Sequence, residues 1–361
     1  MKIYKNFSLK KYNSFGVEAK TLWFVECKRV CDIIAILKNK HFKDLPTLIL
    51  GDGNNILFVK DFNGLTIKVG VKGKKIIKED KKHVWLDVGA GENWTKLLKY
   101  IIDSNWSGAE NLAYIPSSIG GAVVQNMSAY GQNFRDIVDV VETIEIKSFC
   151  KKRFSNKECK FRYHGSIFNG EKKNQYIIIR AVLKLNKKSK LSLDYSSRNT
   201  NQDTLLKELS KIASKPYKVK DIYSAVTNIR KRKLPDFNTQ GTVGSIFLNP
   251  IISKKRLNSL RKKIPDLQIY PANDTLYVSK KNESKLIKKS DKVKVAGAWL
   301  LDEIGWAGKK IGHCYTLPTQ AYCLCTDQKA SGQEILKVIK KMQNDFKKTY
   351  GFELKYEVVI I

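Results

Sequence analysis

Ile115-Pro-Ser-Ser-Ile-Gly-Gly-Ala-Val-Val-Gln-Asn-Met-Ser-Ala-Tyr-Gly131 is the stretch around which the chain is organised. Glycines, a proline and small Ser and Ala side chains leave little to shield the backbone. Polar Gln125 and Asn126 stand among apolar positions. Gly and Ser let main-chain N–H groups approach a ligand, and consecutive amides in tight turns form concavities that hold phosphate oxygens. The same composition also suits a glycine-rich connection packed against a sheet. A second turn lies upstream, in Leu48-Ile-Leu-Gly-Asp-Gly-Asn-Asn-Ile-Leu-Phe58. Its apolar flanks read as strands, and Gly51 to Asn55 between them is turn chemistry with positive-φ residues. It is neither a dinucleotide fingerprint, because the third glycine and the acidic residue about twenty positions on are missing, nor a Walker loop. Alone it also fits a plain hairpin turn; two such turns together suggest a cradle for a diphosphate cofactor.

Working outward, Val88-Gly-Ala-Gly-Glu-Asn-Trp94 opens a helix over 94–104 with Asn93 as its cap, and Glu110-Asn-Leu-Ala-Tyr-Ile-Pro116 leads into the central stretch. Before it, the pattern predicts a strand over 21–26 and a helix over 30–38. Strands are expected over 65–71, 83–88, 140–148 and 175–185. Regular βαβ repetition is absent, so the class is α+β rather than a doubly wound nucleotide fold. Helices follow over 204–212, 219–231 and 254–263, then a strand at 320–326, a long amphipathic helix over 332–350 and a last strand over 353–361. At 361 residues the chain suits two or three domains.

A formal charge of +33 would point to nucleic acid. The lysines, however, come in scattered groups without interleaved stacking aromatics or a recognition-helix pattern, so no specific nucleic-acid partner is expected. Seven thinly spread cysteines imply reduced thiols. Neither Cys27/Cys31 nor Cys323/Cys325 has a second pair beside it, so no metal is expected. Without an apolar leader or a membrane-length run, a soluble, cytoplasmic protein is the expectation; a monomer is expected separately.

Read alone, four groups carry ambiguous chemistry. Ser245 sits in a glycine-started strand. Glu357 lies among apolar neighbours, where a carboxylate is either solvent-facing or in a site. Tyr163 and His164 occupy a loop. Lys233, Arg230 and Asn249 stand at helix or turn ends, suited to phosphate and equally ordinary on a surface.

The four glycine- and asparagine-bearing motifs, in this order, resemble the UDP-N-acetylenolpyruvoylglucosamine reductase family, over about residues 13–357 and in its longer, type I branch. The resemblance implies a FAD-binding fold of the vanillyl-alcohol-oxidase (PCMH) type over 1–215, in two α+β lobes (about 1–65 and 66–215). A C-terminal α/β substrate-binding domain over 216–361 would follow. It further implies noncovalent FAD, with NADPH reducing UDP-N-acetylglucosamine enolpyruvate in peptidoglycan precursor synthesis. FAD would be held by Gly51, Gly53, Asn54, Asn55, Pro116, Gly120, Gly121, Asn126, Gly131 and Arg230. By the same resemblance Ser245, in Gly244-Ser-Ile-Phe-Leu-Asn-Pro250, is the proton donor, and Glu357 and His164 stabilise charge. Lys233 and Asn249 would meet the substrate pyrophosphate. Tyr195 and Tyr270 would close over the UDP-sugar, with Tyr163 and Gln320 also on the substrate.

The chain departs from the family where Tyr163-His-Gly-Ser-Ile-Phe168 puts His164 in place of an arginine. Imidazole can donate and carry charge but lacks the guanidinium fork. Arg162 would share its face if the segment were extended. Ser117 and Ser128 stand where glycine is usual and would crowd the flavin if the backbone there needed positive φ. A homologue that keeps the flavin but has lost activity, and a basic nucleic-acid-binding protein, are the alternatives.

Overall fold

The computed structural model describes residues 1–188, 191, 193, 205–237, 239–272 and 291–361. They divide into two compact units, each with its own apolar core.

The first unit comprises Met1–Phe7, Thr21–Asp52 and Asn63–Arg230. It holds a four-stranded sheet ordered Ile3–Ser8, Lys20–Cys27, Phe62–Val69, Thr47–Leu50, the last two parallel. Its second sheet is antiparallel and five-stranded: Lys151–Ser155, Val138–Glu145, Tyr176–Asn186, His83–Gly89 and Lys74–Glu79. The central strand, Tyr176–Asn186, is buried along most of its length, which is why it reads as a continuous apolar run. Lys74–Glu79 is exposed at every residue and lysine-rich, so it has no apolar face to betray it; as an edge strand, its lysines oppose further pairing. Helix Val30–Lys38 falls where expected, and Trp94–Asp103 starts as predicted, with the Asn93 side chain accepting the Lys96 N–H at 3.1 Å.

The second unit comprises Ser8–Lys20, Gly53–Phe62 and Lys231–Ile361. Here Gly241–Ser245, Gln320–Thr326, Cys314–Leu317 and Lys310–Ile311 form one sheet, and Ile251–Ser253, Lys292–Val295 and Ile269–Pro271 another. Helix Gly332–Tyr350 buries Ile335, Val338, Ile339, Met342 and Phe346 at helical spacing. It is capped by Ser331 and stopped by Gly351 at φ +72°. The expected last strand is much shorter than the pattern suggests. Only Val359–Ile360 is strand, pairing in parallel with Ile56–Leu57. Upstream of it the chain makes isolated bonds instead, Leu248 N–H to Lys355 O and Glu357 N–H to Ile246 O, both 2.9 Å.

Candidate active site

In the second unit, strand Gly241–Ser245 carries one extra residue against its partner: Thr242 pairs with Cys325, yet Ser245 pairs with Cys323. The bulge is built by Thr242, whose Oγ1 donates to Leu324 O (2.7 Å) and accepts the Gly244 N–H (3.1 Å). Gly244 takes φ +78°, which an L side chain rarely adopts. Such bulges re-aim the following side chain, here Ser245. The bond from Glu357 N–H to Ile246 O seats the glutamate beside the peptide that follows Ser245. Asn55 then donates from Nδ2 to Glu357 O at 3.0 Å. Ser245, Glu357 and the 53–55 turn, the last two 302 residues apart at Asn55 and Glu357, are thereby gathered in one unit. Behind Ser245, Cys323 and Cys325 are buried with sulfurs 3.9 Å apart. The Cys325 thiol is pushed up, first by its bond with Cys323 and then by burial, so it is no nucleophile.

The turn itself is clamped by the N-terminal Tyr12-Asn-Ser14. Ser14 N–H donates to Gly53 O (3.1 Å), and Ser14 Oγ donates to Asn54 Oδ1 (2.6 Å). Gly53 has φ +71°, and a Cβ there would lie 1.9 Å from Tyr12 O, so no other residue fits. Among the described residues the N–H groups of Gly53, Asn54 and Asn55 donate to no protein acceptor. The buried Asn55 Oδ1 likewise has no partner. A diphosphate-bearing, hydroxyl-rich cofactor fits that set, phosphate oxygens on the amides and a hydroxyl or ring N–H on Oδ1.

In the first unit the Pro116–Gly131 stretch, read from sequence as a glycine turn with spare amides, is helical over its middle. Ile119–Gln125 is a helix capped by Ser118. Its leading amides are taken: Ile119 by Glu92 O (3.0 Å), Gly120 by Ala90 O (2.9 Å), Gly121 by Ser118 Oγ (3.3 Å) and Ala122 by Ser118 O (2.9 Å). Gly51 is needed because a Cβ would lie 2.7 Å from Ser118 Oγ. Asp52 is held by Lys68 at 2.7 Å. Asn126 ends the helix at φ +44°, donating to Arg162 O (3.0 Å) and accepting from Arg135 N–H (3.0 Å), so its amide braces protein. Ser117 and Ser128 are not among the positive-φ residues, which removes the crowding concern. Arg230 donates from Nε to Tyr114 O at 3.0 Å.

The segment holding His164 is not extended. Arg162 and Gly165 exchange backbone bonds (2.8 and 3.1 Å) around a two-residue turn, with His164 at φ +46°. Arg162 and His164 therefore do not share a strand face. The Arg162 guanidinium is committed to its own loop, donating to Ser166 O (2.7 Å) and Asn169 Oδ1 (3.2 Å). The loop is tied to the capped helix through Ser166 Oγ to Val124 O (2.8 Å). Tyr163 and His164 rings meet edge to face at 4.5 Å.

Of the substrate candidates, Asn249 accepts the Gly297 N–H (3.0 Å) at the start of helix Gly297–Glu303. Tyr270 donates to Gln268 (3.1 Å), with Lys294 over its ring. Lys233 ends helix Val219–Lys233, where its carbonyl accepts from Thr319 (3.4 Å), and Gln320 opens its strand. Tyr195 lies outside the described residues. Sequence reasoning missed Ser118, Ser14 and Glu110; only Ser118, a cap residue one position before Ile119, left a usable signal.

With this geometry set out, comparison with known proteins is decisive. Residues 22–147 match a FAD binding domain model and residues 236–361 match the UDP-N-acetylenolpyruvoylglucosamine reductase C-terminal domain model. The reductase of Flavobacterium johnsoniae is 37% identical over 100% of both chains. The chain belongs to the UDP-N-acetylenolpyruvoylglucosamine reductase family. A reductase from Amoebophilus asiaticus is 32% identical, again over 100% of each chain. The crystal structure of the Thermus caldophilus reductase shares the fold, with TM-score 0.64 at 17% identity over 99% of this chain and 98% of that one. This reductase is thus a FAD-dependent UDP-N-acetylmuramate dehydrogenase of peptidoglycan precursor synthesis. Its fold is a PCMH-type FAD-binding domain followed by the family's C-terminal domain. No helix among the described residues is long and apolar enough to cross a membrane.

Proposed function

We propose that NADPH is the hydride source and that Ser245 is the proton donor to UDP-N-acetylglucosamine enolpyruvate. NADPH is read from the family alone; for Ser245 the observation that carries the reading is the bond from Glu357 N–H to Ile246 O, which sets a carboxyl-bearing residue beside the bulge that aims Ser245. FAD, when bound, would supply the two-electron redox chemistry that links the nicotinamide to the vinyl ether. The chain's own groups do the rest. The Ser245 hydroxyl protonates the carbon next to the substrate carboxylate, a weak acid made effective by positioning, while His164, and Glu357 when it carries a proton to donate, stabilise the negative charge that develops there. The bonds that tie the Arg162 guanidinium to Ser166 O and Asn169 Oδ1 support His164 over Arg162 in the place of the family arginine.

Gly53, Asn54 and Asn55 hold FAD through their unpartnered amides and the Asn55 oxygen. Gly51, Pro116, Gly120, Gly121, Asn126, Gly131 and Arg230 are the further FAD-binding residues that the family pattern points to. Attachment is noncovalent, since neither 51–55 nor 116–131 contains His or Cys. Lys233, Asn249 and Gln320 meet the substrate, with Tyr163, Tyr195 and Tyr270 contributing as in the type I branch, and 216–361 acts as the substrate domain beside a FAD region of 1–215. The working form is a cytoplasmic monomer.

The test separates the two half-reactions anaerobically. Ser245→Ala and His164→Ala should leave flavin reduction by NADPH near wild type and slow reoxidation by the enolpyruvyl sugar, Ser245→Ala by about a hundredfold or more. A variant slowed equally in both half-reactions has no role in the protonation step.

A further inference from the structure

The hairpin Ser128–Ala129/Gln132–Asn133 turns through Tyr130 at φ +47° and Gly131 at φ +81°. A two-residue turn with both φ values positive suits Asn-Gly or Gly-Gly; a tyrosine at its first position is strained, and persists only where its surroundings enforce it. The enforcement is a directed chain of hydrogen bonds that begins at Glu110, a carboxylate with no solvent exposure. Its Oε2 accepts from the N–H groups of Gly108 (2.7 Å) and Ala109 (3.0 Å), and its Oε1 accepts from Gln132 Nε2 (3.0 Å). With the Gln132 nitrogen turned to Glu110, its oxygen accepts the Asn111 N–H at 2.8 Å. Asn111 Nδ2 then donates to Tyr130 O at 2.7 Å. Because Glu110 only accepts, it fixes which way the Gln132 amide faces, and so the acceptor presented to Asn111.

We propose that Glu110 is a positioning residue for the flavin-facing turn Tyr130–Gly131, acting through Gln132 and Asn111. The inference rests on the reading of Gly131 as part of the cofactor site. Nothing in the chemistry of the reaction requires a buried carboxylate here; the geometry of the turn does.

The test is FAD titration of apoprotein by fluorescence, with the apoprotein melting temperature and the visible spectrum of the loaded protein recorded alongside. Gln132→Glu places a carboxylate against Glu110 and should weaken FAD at least about tenfold. Adding Glu110→Gln restores complementarity: the new amide donates to Glu at 132 and accepts from the Gly108 and Ala109 N–H groups. The double variant should recover FAD affinity to within about threefold of wild type. If Gln132→Glu apoprotein fails to fold, Asn111→Asp, which replaces the donor to Tyr130 O by an acceptor, is read in its place with the same expectation. A folded Gln132→Glu or Asn111→Asp protein with wild-type FAD affinity and spectrum overturns the proposal, as does a double variant no better than the single one. Gly131→Ala separates the two readings. If it folds and leaves FAD affinity unchanged, the turn is not in the cofactor site and both readings fall. If it weakens FAD while Gln132→Glu does not, the Glu110 relay alone fails.

Discussion

Two glycine-bearing segments of this reductase use their backbone amides in opposite ways. The helix start at Ile119–Ala122 gives every leading N–H to a protein acceptor, two of them carbonyls of the Ala90–Glu92 turn. The Gly53–Asn55 turn gives none of its three, and buries an unpartnered Asn55 oxygen as well. The glycines differ accordingly. Gly53 is required by a positive φ and by the carbonyl of Tyr12 at its back, whereas a Cβ on Gly120 would meet only Ala90, at 3.4 Å. A glycine-rich sequence therefore has two physical meanings in one chain. In the helix start it allows close packing of protein on protein, and in the turn it leaves donors open for a ligand.

Substitutions can break this contrast. The largest effect is expected from Gly53→Ala, which combines a left-handed φ with a backbone collision, a cost on the order of 2–5 kcal/mol. The purified variant should be colourless or unfolded, and one that retains flavin with wild-type thermal stability would remove the turn from the account. Ser118→Ala should cost about 1 kcal/mol through the lost cap, read as a lowered melting temperature with FAD affinity changed less than threefold. A large loss of FAD affinity without a loss of stability would instead give the helix start a ligand role. Gly120→Ala should be the mildest, within about 1 kcal/mol of wild type in denaturant unfolding, since alanine favours the helix and its methyl meets only an ordinary contact.

Much of the fold was legible because its signals are local. Asn93 caps its helix, the 332–350 stripe is amphipathic, and buried strands such as Tyr176–Asn186 are continuous apolar runs. The edge strand Lys74–Glu79 was not, since solvent on both faces erases its periodicity. In the site, the motifs marked Ser245, Glu357 and the 51–55 turn, but their assembly depends on bonds between distant segments, Asn55 to Glu357 and Glu357 to Ile246. The roles of Arg162 and Asn126 were illegible for the same reason. Each side chain is committed to carbonyls or amides that only the folded loop brings near. Sequence spacing put Arg162 and His164 on one face because it assumed an extended segment; the left-handed His164 makes it a turn.

The central claim is that the open amides of Gly53–Asn55, and not the helix start at Ile119–Ala122, take the cofactor's diphosphate. Residue-resolved amide hydrogen exchange of the apoprotein and the FAD-loaded protein tests it directly. The amides of Gly53, Asn54 and Asn55 should exchange freely in the apoprotein and gain strong protection on loading, while those of Ile119 to Ala122 are protected in both states. Protection gained at Ile119–Ala122 with no change at Gly53–Asn55 would contradict it.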